Sequence, residues 1–285
     1  MADTIRLESP AKVNLRLEIL KKREDGYHEL RTILQKISLS DVLRFSLRRE
    51  RGISIKTTNP HLPLGKRNLV YLAVQSILKK ADYNGGVFIE IEKRIPLGSG
   101  MGGGSSNAAA SLKAMNELLR VNFRKKELMA LGLQIGTDVP FFFLEGDAIA
   151  TGIGERLKKI VLPELWYVLI YPNFEVSTRW AYQHFVLTNK RFHFNLHKLL
   201  RSPEEISNVL LNDLEEVVSR EYPQISIMKK ILYSAGAMGA MMTGSGPTVF
   251  GIFSEEGGAA EAYRKVRKMV TGRGWIVLNA RSIPA

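Results

Sequence analysis

Cysteine is absent from the sequence. Its absence excludes a disulfide framework, a thiolate metal site and a cysteine nucleophile, and it agrees with a reducing cytosol. The five histidines show no HExxH spacing. Long hydrophobic runs are also missing. The longest, LWYVLIY at 165–171, is far shorter than the roughly 20 residues that cross a bilayer, and MADTIRLESPAKVNL lacks the apolar core of a signal peptide. We therefore expect a cytoplasmic protein with no membrane partner.

Acidic residues are scarce relative to basic ones, with 28 against 41 and a net charge of +13. Such a balance attracts polyanions, including nucleic acid, anionic lipid and nucleotide phosphates. The basic residues are spread along the chain and interleaved with apolar positions, which is typical of solvated faces. No nucleic-acid partner is therefore expected. The 285 residues, 45% of them apolar, are enough for two ordinary domains.

The order of periodic segments favours the α+β class, because strands and helices alternate without a long βαβ series. A change of character near LPEL divides the chain into predicted domains 1–162 and 163–285. In the first, strand patterns are AKVNLRLEIL, ELRTILQKISL, DVLRFSLRR, GISIKTT and 86–95; helices are predicted at 67–81, 105–120 and 124–136, followed by a hairpin. In the second, WYVLIYP opens the domain, helices are predicted at 177–185, 206–219, 223–235 and 255–271, and GAMMTGSGPTVFGIF and WIVLNARSI supply strands.

Residues 95–110 read IPLGSGMGGGSSNAAA, which leaves almost no side chain for contacts. Because glycine loses the most conformational entropy on folding, so many glycines favour a backbone with positive φ or one lying against something large. The loop follows a strand and precedes a helix, whose N-terminus carries unpaired N–H donors and the positive end of the helix dipole. The pattern predicts a loop that closes around a phosphate chain. The alternative is a tight helix entry with no ligand.

Two common glycine motifs do not account for this loop. Gly98, Gly100 and Gly103 match GxGxxG, but the long β-rich segment before them and the helices after them do not form the βαβ unit of a dinucleotide site. A Walker A loop needs a lysine before the serine, where Gly104 stands. The prediction of a phosphate-binding loop therefore rests on the whole segment 95–110 and not on either short motif.

PLGSGMGGGSSNAAA resembles the phosphate loop of the GHMP kinase superfamily, which includes galactokinase, homoserine kinase and mevalonate kinase. PAKVNLRLEI and MMTGSGPTVFGIF fall where that superfamily has further motifs. DGYHEL at 25–30 and GTDVPFFF at 136–143 are similar to the branch that phosphorylates cytidine diphosphate methylerythritol. The resemblance covers nearly the whole chain. It implies a two-domain GHMP kinase fold, with a ribosomal S5 domain 2-like N-terminal domain and a ferredoxin-like C-terminal domain.

The resemblance implies that ATP binds at the glycine loop. No metal ligand is assigned, although the hydroxyl of Ser105 or Ser106 is placed to contact Mg²⁺, the expected second cofactor. From the residues alone, one of these serines caps the following helix. The implied ATP-side residues are Pro96, Leu97, Gly98, Ser99, Gly100, Met101, Gly102, Gly103, Gly104, Ser105 and Ser106, with Asn68 and Lys93 at positions that approach the adenosine.

Phosphoryl transfer to an alcohol needs a held nucleotide, neutralised phosphate charge and a group that positions or deprotonates the hydroxyl. Asp138 lies in a predicted turn before an aromatic run, which an Asx turn would equally explain. Lys12 in a strand would ordinarily be a solvated surface residue. The resemblance implies instead that Asp138 is the catalytic base and that Lys12 keeps it ionised and polarises the hydroxyl.

An aromatic pair is predicted to recognise a cytosine ring. Tyr27 can stack on its face and His28 can hydrogen-bond its edge, although a hairpin turn with an amphipathic tyrosine also explains this segment. The resemblance implies a second aromatic side chain at Tyr182, with Thr178 near the same ligand.

Asn14 lies two residues beyond Lys12 and so on the same strand face, and the resemblance implies that it contacts the substrate. The late segment TGSGPTVF reads by itself as a glycine turn. The resemblance implies that Gly244, Ser245 and Gly246 form a second anion cradle through their backbone N–H groups.

The resemblance implies an ATP-dependent kinase for the 2-hydroxyl of cytidine diphosphate methylerythritol, in the non-mevalonate route to isoprenoids. Another GHMP kinase, of the homoserine or mevalonate type, and a basic RNA-binding module of related fold are the alternatives. A monomer or weak homodimer is expected. Thr137 stands where Ala or Ser is more usual and Met101 where Leu is usual, and neither change removes a functional group.

Overall fold

The computed structural model describes residues 4–187 and 201–284, so residues 188–200 of the predicted second domain lie outside the described residues. The chain forms two compact units, each assembled from separate stretches. The first contains the chain up to Ala11, Ser40–Leu97 and Gly102–Glu145, and the second contains Lys12–Leu39, Gly98–Met101 and the chain from Gly146 onwards.

Alternating apolar, β-branched and aromatic residues form the strands. Within the described residues these are β1 (Thr4–Lys22), β2 (His28–Arg48), β3 (Gly52–Thr57), β4 (Gly86–Glu92), β5 (Asp147–Gly152), β6 (Arg156–Ile160), β7 (Trp166–Tyr171), β8 (Leu211–Asn212), β9 (Gly239–Met242), β10 (Val249–Phe253) and β11 (Ile276–Arg281). β1 and β2 are neighbours in one sheet and both run through the two units.

The helices follow the segments with helical apolar spacing. In the described part of the chain they are α1 (Leu69–Lys80), α2 (Gly103–Leu118), α3 (Lys125–Ile135), α4 (Thr178–His184), α5 (Pro203–Val209), α6 (Asp213–Glu221), α7 (Gln224–Ser234) and α8 (Glu256–Met269), with a 3₁₀ helix at Val139–Phe143. None of the helices described is both long enough and apolar enough to cross a membrane.

The first unit places three helices together beside a small set of strands. β3 pairs parallel with β4, and β4 pairs antiparallel with residues 42–48 of β2. Helix α2 packs against α1, α3 and the 3₁₀ helix. Its buried alanines, Ala108, Ala109 and Ala110, allow the neighbouring backbones to approach closely. The N-terminus of α2 is thereby held by packing along its length.

The second unit contains a four-stranded antiparallel sheet in the order β11-β7-β10-β9. Helices α7 and α8 pack on it, and their buried residues join one hydrophobic cluster with β7, β9 and β10. In the same unit, residues 30–34 of β2 pair with β5, β5 pairs with β6, and β8 pairs parallel with Arg16 and Leu17 of β1. These mixed pairings with segregated helices confirm the α+β prediction.

One predicted helix is wrong. The segment 206–219 is not continuous, because α5 ends at Val209 and α6 begins at Asp213. Between them Asn212 caps α6, accepting from the Leu214 N–H at 3.0 Å, and donates from Nδ2 to Met242 O at 2.7 Å and Gly244 O at 2.8 Å. These hydrogen bonds and the β1 pairing offset the local helical preference.

A buried polar cluster in the second unit is centred on Asp147, which is only 5% exposed. Gln35 Nε2 donates to Asp147 Oδ2 at 3.1 Å, and the hydroxyl of the fully buried Tyr167 donates to Gln35 Oε1. Burial raises the pKa of Asp147 to about 6, and the hydrogen bond from Gln35 opposes that rise.

The Asp147 carboxyl predicts a pH-dependent stability. Because its folded pKa lies above the ordinary 3.8, the folded state holds the proton more tightly than the unfolded state. Its contribution to the free energy of unfolding is therefore full below pH 3.8 and falls as the pH rises to about 6, by an amount on the order of 3 kcal/mol. We expect Asp147→Asn to flatten this part of the profile in thermal or denaturant unfolding.

The matched control is Glu117→Gln, since Glu117 is an exposed carboxylate on α2. Its unfolding profile should keep the wild-type slope. An Asp147→Asn protein with an undiminished decline between pH 4 and 6 would contradict the assignment.

Candidate active site

The first glycine loop connects β4 to α2 through a left-handed backbone. Gly98, Gly100 and Gly102 have φ angles of 58°, 76° and 70°. Gly102 is the N-cap of α2, and no side chain caps the helix. The interpretation of Ser105 or Ser106 as the cap is therefore wrong, because α2 begins two residues earlier than predicted. The first turn offers N–H groups that no side-chain acceptor occupies, which is the arrangement that binds anions.

The two serines of this first turn have different surroundings. Ser106 is buried, and the Ser9 hydroxyl donates to its Oγ at 2.7 Å. Ser105 is partly exposed, and its hydroxyl has no hydrogen-bond partner among the described residues. A Cβ on Gly136 would lie 3.8 Å from Ser105 Oγ. Ser105 is thus the serine whose oxygen is available to a ligand.

In the second unit, residues 98–101 of the first glycine loop touch the late glycine loop. A Cβ on Gly100 would lie 2.4 Å from Thr243 O and 2.9 Å from Gly246 O. A Cβ on Gly244 would lie 3.0 Å from Gly100 O. Both positions also have positive φ, so neither the backbone angle nor the space admits a larger residue. The glycines are required by this close approach.

Lys12 lies beside both loops in this unit and is only 4% exposed. Its Nζ donates to Asn14 Oδ1 at 2.5 Å and to Gly100 O at 2.9 Å. A Cβ on Gly244 would lie 3.4 Å from the same ammonium. The structure therefore brings Lys12, Asn14, Gly100 and Gly244 together, as the predicted site requires.

Asp41 is a residue that the sequence analysis missed. Its carboxylate is fully buried and accepts from Lys93 Nζ at 2.8 Å, Arg94 N at 2.7 Å, Ile95 N at 2.8 Å and Asn107 Nδ2 at 2.9 Å. It thereby ties the segment before the glycine loop to the first turns of α2. A charged residue inside the apolar strand ISLSDVLRF was the available signal, and β2 continues through it because the carboxylate is fully hydrogen-bonded.

Two residues predicted on the adenosine side use their polar atoms within the protein. Lys93 forms its buried ion pair with Asp41 and also donates to Ile95 O, and burial lowers its pKa while Asp41 opposes that shift. Asn68 caps α1, accepting from Val70 N at 2.9 Å and donating to Pro63 O at 2.7 Å. Their contact with a nucleotide stays a prediction.

Asp138 occupies the turn before the 3₁₀ helix in the first unit and is half-buried. Its carboxylate does not cap that helix. Phe141, Phe142 and Phe143, which follow it in the chain, are buried. A Cβ on Gly132 would lie 2.7 Å from Val139 Cγ1, so α3 and this turn are closely packed.

The cytosine-side residues lie together in the second unit. The rings of His28 and Tyr182 are 5.3 Å apart at an interplanar angle of 31°. Burial, with a smaller effect of Lys22, lowers the pKa of His28 and favours its neutral ring. Tyr27 is 57% exposed, so its ring is available to a ligand.

Thr178, the first residue of α4, connects that helix to the late glycine loop. Its Oγ1 lies 2.8 Å from Ser245 Oγ. The same loop is held at Gly244 by the Asn212 amide described above. The predicted substrate-side residues of α4 and of the late loop are therefore neighbours.

The architecture and the paired glycine loops define the class of protein. The chain matches the family descriptions "GHMP kinases N terminal domain" over residues 68–146 and "GHMP kinases C terminal" over residues 195–271. A crystal structure of homoserine kinase from Cytophaga hutchinsonii superposes with a TM-score of 0.76 over 100% of this chain and 96% of that one, at 21% identity. The chain has the GHMP kinase fold.

Relatives with higher sequence identity identify the family within the GHMP kinases. The chain is 46% identical, over 98% of its length and 99% of the relative's, to 4-diphosphocytidyl-2-C-methyl-D-erythritol kinase of Syntrophus aciditrophicus (strain SB). It is 33% identical to a crystallised 4-(cytidine 5'-diphospho)-2C-methyl-D-erythritol kinase, with a TM-score of 0.83 over 99% of this chain and 100% of that one. The chain belongs to the 4-diphosphocytidyl-2-C-methyl-D-erythritol kinase family.

The contact between the glycine loops predicts a severe effect of Gly100→Ala. The added Cβ would meet a backbone carbonyl at 2.4 Å in a left-handed conformation. Strain of about 1–3 kcal/mol should displace the loop and raise the KM for ATP by about tenfold or more in a coupled ADP-release assay.

Gly257→Ala is the control, because Gly257 has ordinary φ and nothing within 4 Å of its added Cβ. It should leave the KM for ATP unchanged. Wild-type kinetics for Gly100→Ala would show that the loop tolerates a side chain and would contradict the close approach.

Proposed function

We propose that the chain transfers the γ-phosphoryl group of ATP to the 2-hydroxyl of 4-diphosphocytidyl-2-C-methyl-D-erythritol, giving the 2-phosphate and ADP. The observation that carries this proposal is the buried Lys12 ammonium, which donates at 2.9 Å to Gly100 O of one glycine loop and lies against Gly244 of the other. An ammonium beside two small-residue loops suits a reaction in which phosphate charge must be held and an alcohol activated. The substrate is that of the related kinases described above.

The nucleotide phosphates are proposed to lie at the N-terminus of α2. The left-handed glycines carry no Cβ atoms, so a ligand can approach their backbone closely. The first turn of α2 has no side-chain cap and supplies N–H donors. Pro96, Leu97, Ser99 and Met101 shape the same loop; Ser99 and Met101 are buried, so their backbone rather than their side chains would face the ligand.

Lys93 and Asn68 are proposed to support the part of the site that holds the nucleotide. A Cβ on Gly103 would lie 3.3 Å from Lys93 Nζ, so this cation lies under the first residue of α2. Because its donors are engaged with Asp41 and Ile95, we propose that it supports the start of α2 through this ion pair.

Mg²⁺ fits the oxygen chemistry of this helix terminus. The Ser105 hydroxyl is a hard oxygen donor, partly exposed and without a hydrogen-bond partner among the described residues. Ser105 would hold the ion together with the nucleotide phosphates. When bound, the ion would neutralise charge on the β- and γ-phosphates. Ser106 Oγ accepts a hydrogen bond from the Ser9 hydroxyl, so we assign Ser106 to holding α2 in place and not to the ion.

Asp138 is proposed as the base and Lys12 as the cation of the transfer. The 2-hydroxyl proton passes to the Asp138 carboxylate as the oxygen bonds to the γ-phosphorus. The bond between that phosphorus and the β–γ bridging oxygen breaks, and its electrons leave with ADP. Lys12 stabilises negative charge on the attacking oxygen.

The cytidine end is proposed to lie against the His28–Tyr182 pair. Tyr27 and Tyr182 supply aromatic faces, and neutral His28 has one ring nitrogen to donate and one to accept at the base edge. Asn14, Thr178 and the backbone of Gly244–Gly246 would contact the rest of the substrate. Homoserine and mevalonate carry no base that would use the aromatic residues, so those alternatives are not favoured. An RNA-binding module would leave the two glycine loops unexplained.

We further propose that the domains divide near 162/163, since the two family matches fall on either side of that position.

The reaction consumes ATP, so we expect the protein to be located in the cytoplasm. A monomer or weak homodimer stays the expected assembly.

The catalytic assignment is tested by Lys12→Met and Asp138→Asn. Loss of the cation or the base should reduce kcat by at least about a hundredfold while ATP binding stays nearly intact. ADP release is coupled to the cytidine substrate, homoserine and mevalonate in turn, and nucleotide binding is measured separately by calorimetry.

Lys21→Met is the control for the lysine, because Lys21 lies near the end of the same strand and is exposed beside Glu29. It should keep wild-type turnover. Retained turnover in Lys12→Met would remove Lys12 from the mechanism. Turnover of another alcohol, with none on the cytidine compound, would overturn the substrate assignment.

The aromatic assignment predicts that Tyr182→Ala raises the KM for the cytidine substrate by roughly ten- to a hundredfold, since stacking on a base contributes about 1–3 kcal/mol. The KM for ATP should not change. Tyr182→Phe keeps the ring and should stay within about twofold of the wild type. Equal KM values for Tyr182→Ala and wild type would refute stacking at this ring.

A further inference from the structure

Thr32 of β2 carries a buried hydroxyl beside the residues assigned to the chemistry. The side chain is 4% exposed. Its Oγ1 donates to the backbone carbonyl of Arg16 at 2.6 Å and accepts from Asn14 Nδ2 at 2.8 Å. Thr32, Arg16 and Asn14 all belong to the second unit, as does Lys12.

The direction of these hydrogen bonds determines which way the Asn14 amide faces. A hydroxyl has one proton to donate, and that of Thr32 is used by the Arg16 carbonyl. Toward Asn14, Thr32 can therefore only accept, so the NH₂ end of the amide must face it. The Oδ1 end is turned to the opposite side, where Lys12 Nζ lies at 2.5 Å.

A second hydroxyl gives the same orientation. Thr243 is fully buried, and its Oγ1 accepts from the backbone N–H of Asn14 at 3.0 Å. Its proton points to Asn14 Oδ1, at the longer distance of 3.4 Å. The Thr32 hydrogen bonds therefore determine that Asn14 presents its oxygen to the Lys12 side, and the Thr243 contact agrees with this orientation.

We propose that Thr32 is a positioning residue for phosphoryl transfer: by orienting the Asn14 amide, it holds an acceptor against the Lys12 ammonium and so fixes the cation beside Gly100. This inference rests on the proposed function, in which Lys12 stabilises charge on the attacking oxygen. Thr32 acts through Asn14 and has no direct contact with substrate in this role. Without its hydroxyl the amide can rotate and turn its NH₂ group toward the ammonium, which repels that cation.

The test compares Thr32→Val with Thr32→Ser. Valine keeps the shape but removes the hydroxyl, whereas serine keeps the hydroxyl. For Thr32→Val we expect kcat to fall about tenfold or more, the consequence of one misplaced charge-assisted hydrogen bond. The KM for ATP should remain within about twofold and Thr32→Ser should retain wild-type kcat, with melting temperatures of all three proteins measured in parallel.

A second measurement separates orientation from a general packing defect and holds even where Thr32→Val is less stable. In an Asn14→Asp background the carboxylate presents an oxygen to Lys12 in either rotation, so adding Thr32→Val should change kcat less than about twofold. A packing defect would instead add its full effect there, which would overturn the proposal.

Further outcomes are equally decisive. Wild-type kcat in Thr32→Val, or equal losses in the valine and serine variants, would overturn the positioning role alone. Absence of turnover of the cytidine substrate by the wild-type enzyme in the same assay would instead overturn the proposed function.

Discussion

The buried ammonium of Lys12 is the interaction on which the glycine-loop contacts of the second unit depend. A buried lysine must donate to acceptors, because an unpaired charge there would be strongly destabilising. One of its acceptors is the Gly100 carbonyl, part of a loop with almost no side chains, and another is the Asn14 amide on its own strand. The strand β1 and the glycine loop therefore fix each other's position.

A glycine-rich loop must be ordered by contacts with the rest of the protein, since its glycines lose much conformational entropy on ordering. Here each part is held separately. Asp41 collects the N–H groups of Arg94 and Ile95 in the first unit, Gly100 lies against the Thr243 carbonyl in the second, and Ser9 anchors Ser106 within α2. The loop is thus ordered by contacts within the protein, so a ligand that bound there would have little further ordering to bring about.

The fold and the specificity have different physical origins. Homoserine kinase shares the fold at 21% identity, so the fold by itself does not select the substrate. In the proposed function the aromatic pair of His28 and Tyr182 provides the specificity, because a ring surface suits a base and not a phosphate. The net charge of +13 assists anion binding in general without selecting a substrate.

Local patterns predicted much of this protein. Strand alternation, the helix after the glycines and the strongly glycine-rich loop are encoded by neighbouring residues, and they led to the α+β class and to the prediction of a phosphate-binding loop. The predicted helix at 206–219 was wrong because Asn212 makes its hydrogen bonds to residues thirty positions further along. The serine cap was wrong because Gly102 can adopt a left-handed φ that begins α2 early.

By itself, the sequence determined where a side-chain-free loop meets a helix, because periodicity and glycine content are local properties. Only the tertiary structure decided that Asp41 binds Asn107 of α2 and that Thr32 and Thr243 bind Asn14, since a polar residue in a strand gains its role from partners far away in the chain. It also decided that Lys93 pairs with Asp41, because a buried charge is satisfied by whichever opposite charge folding brings within reach.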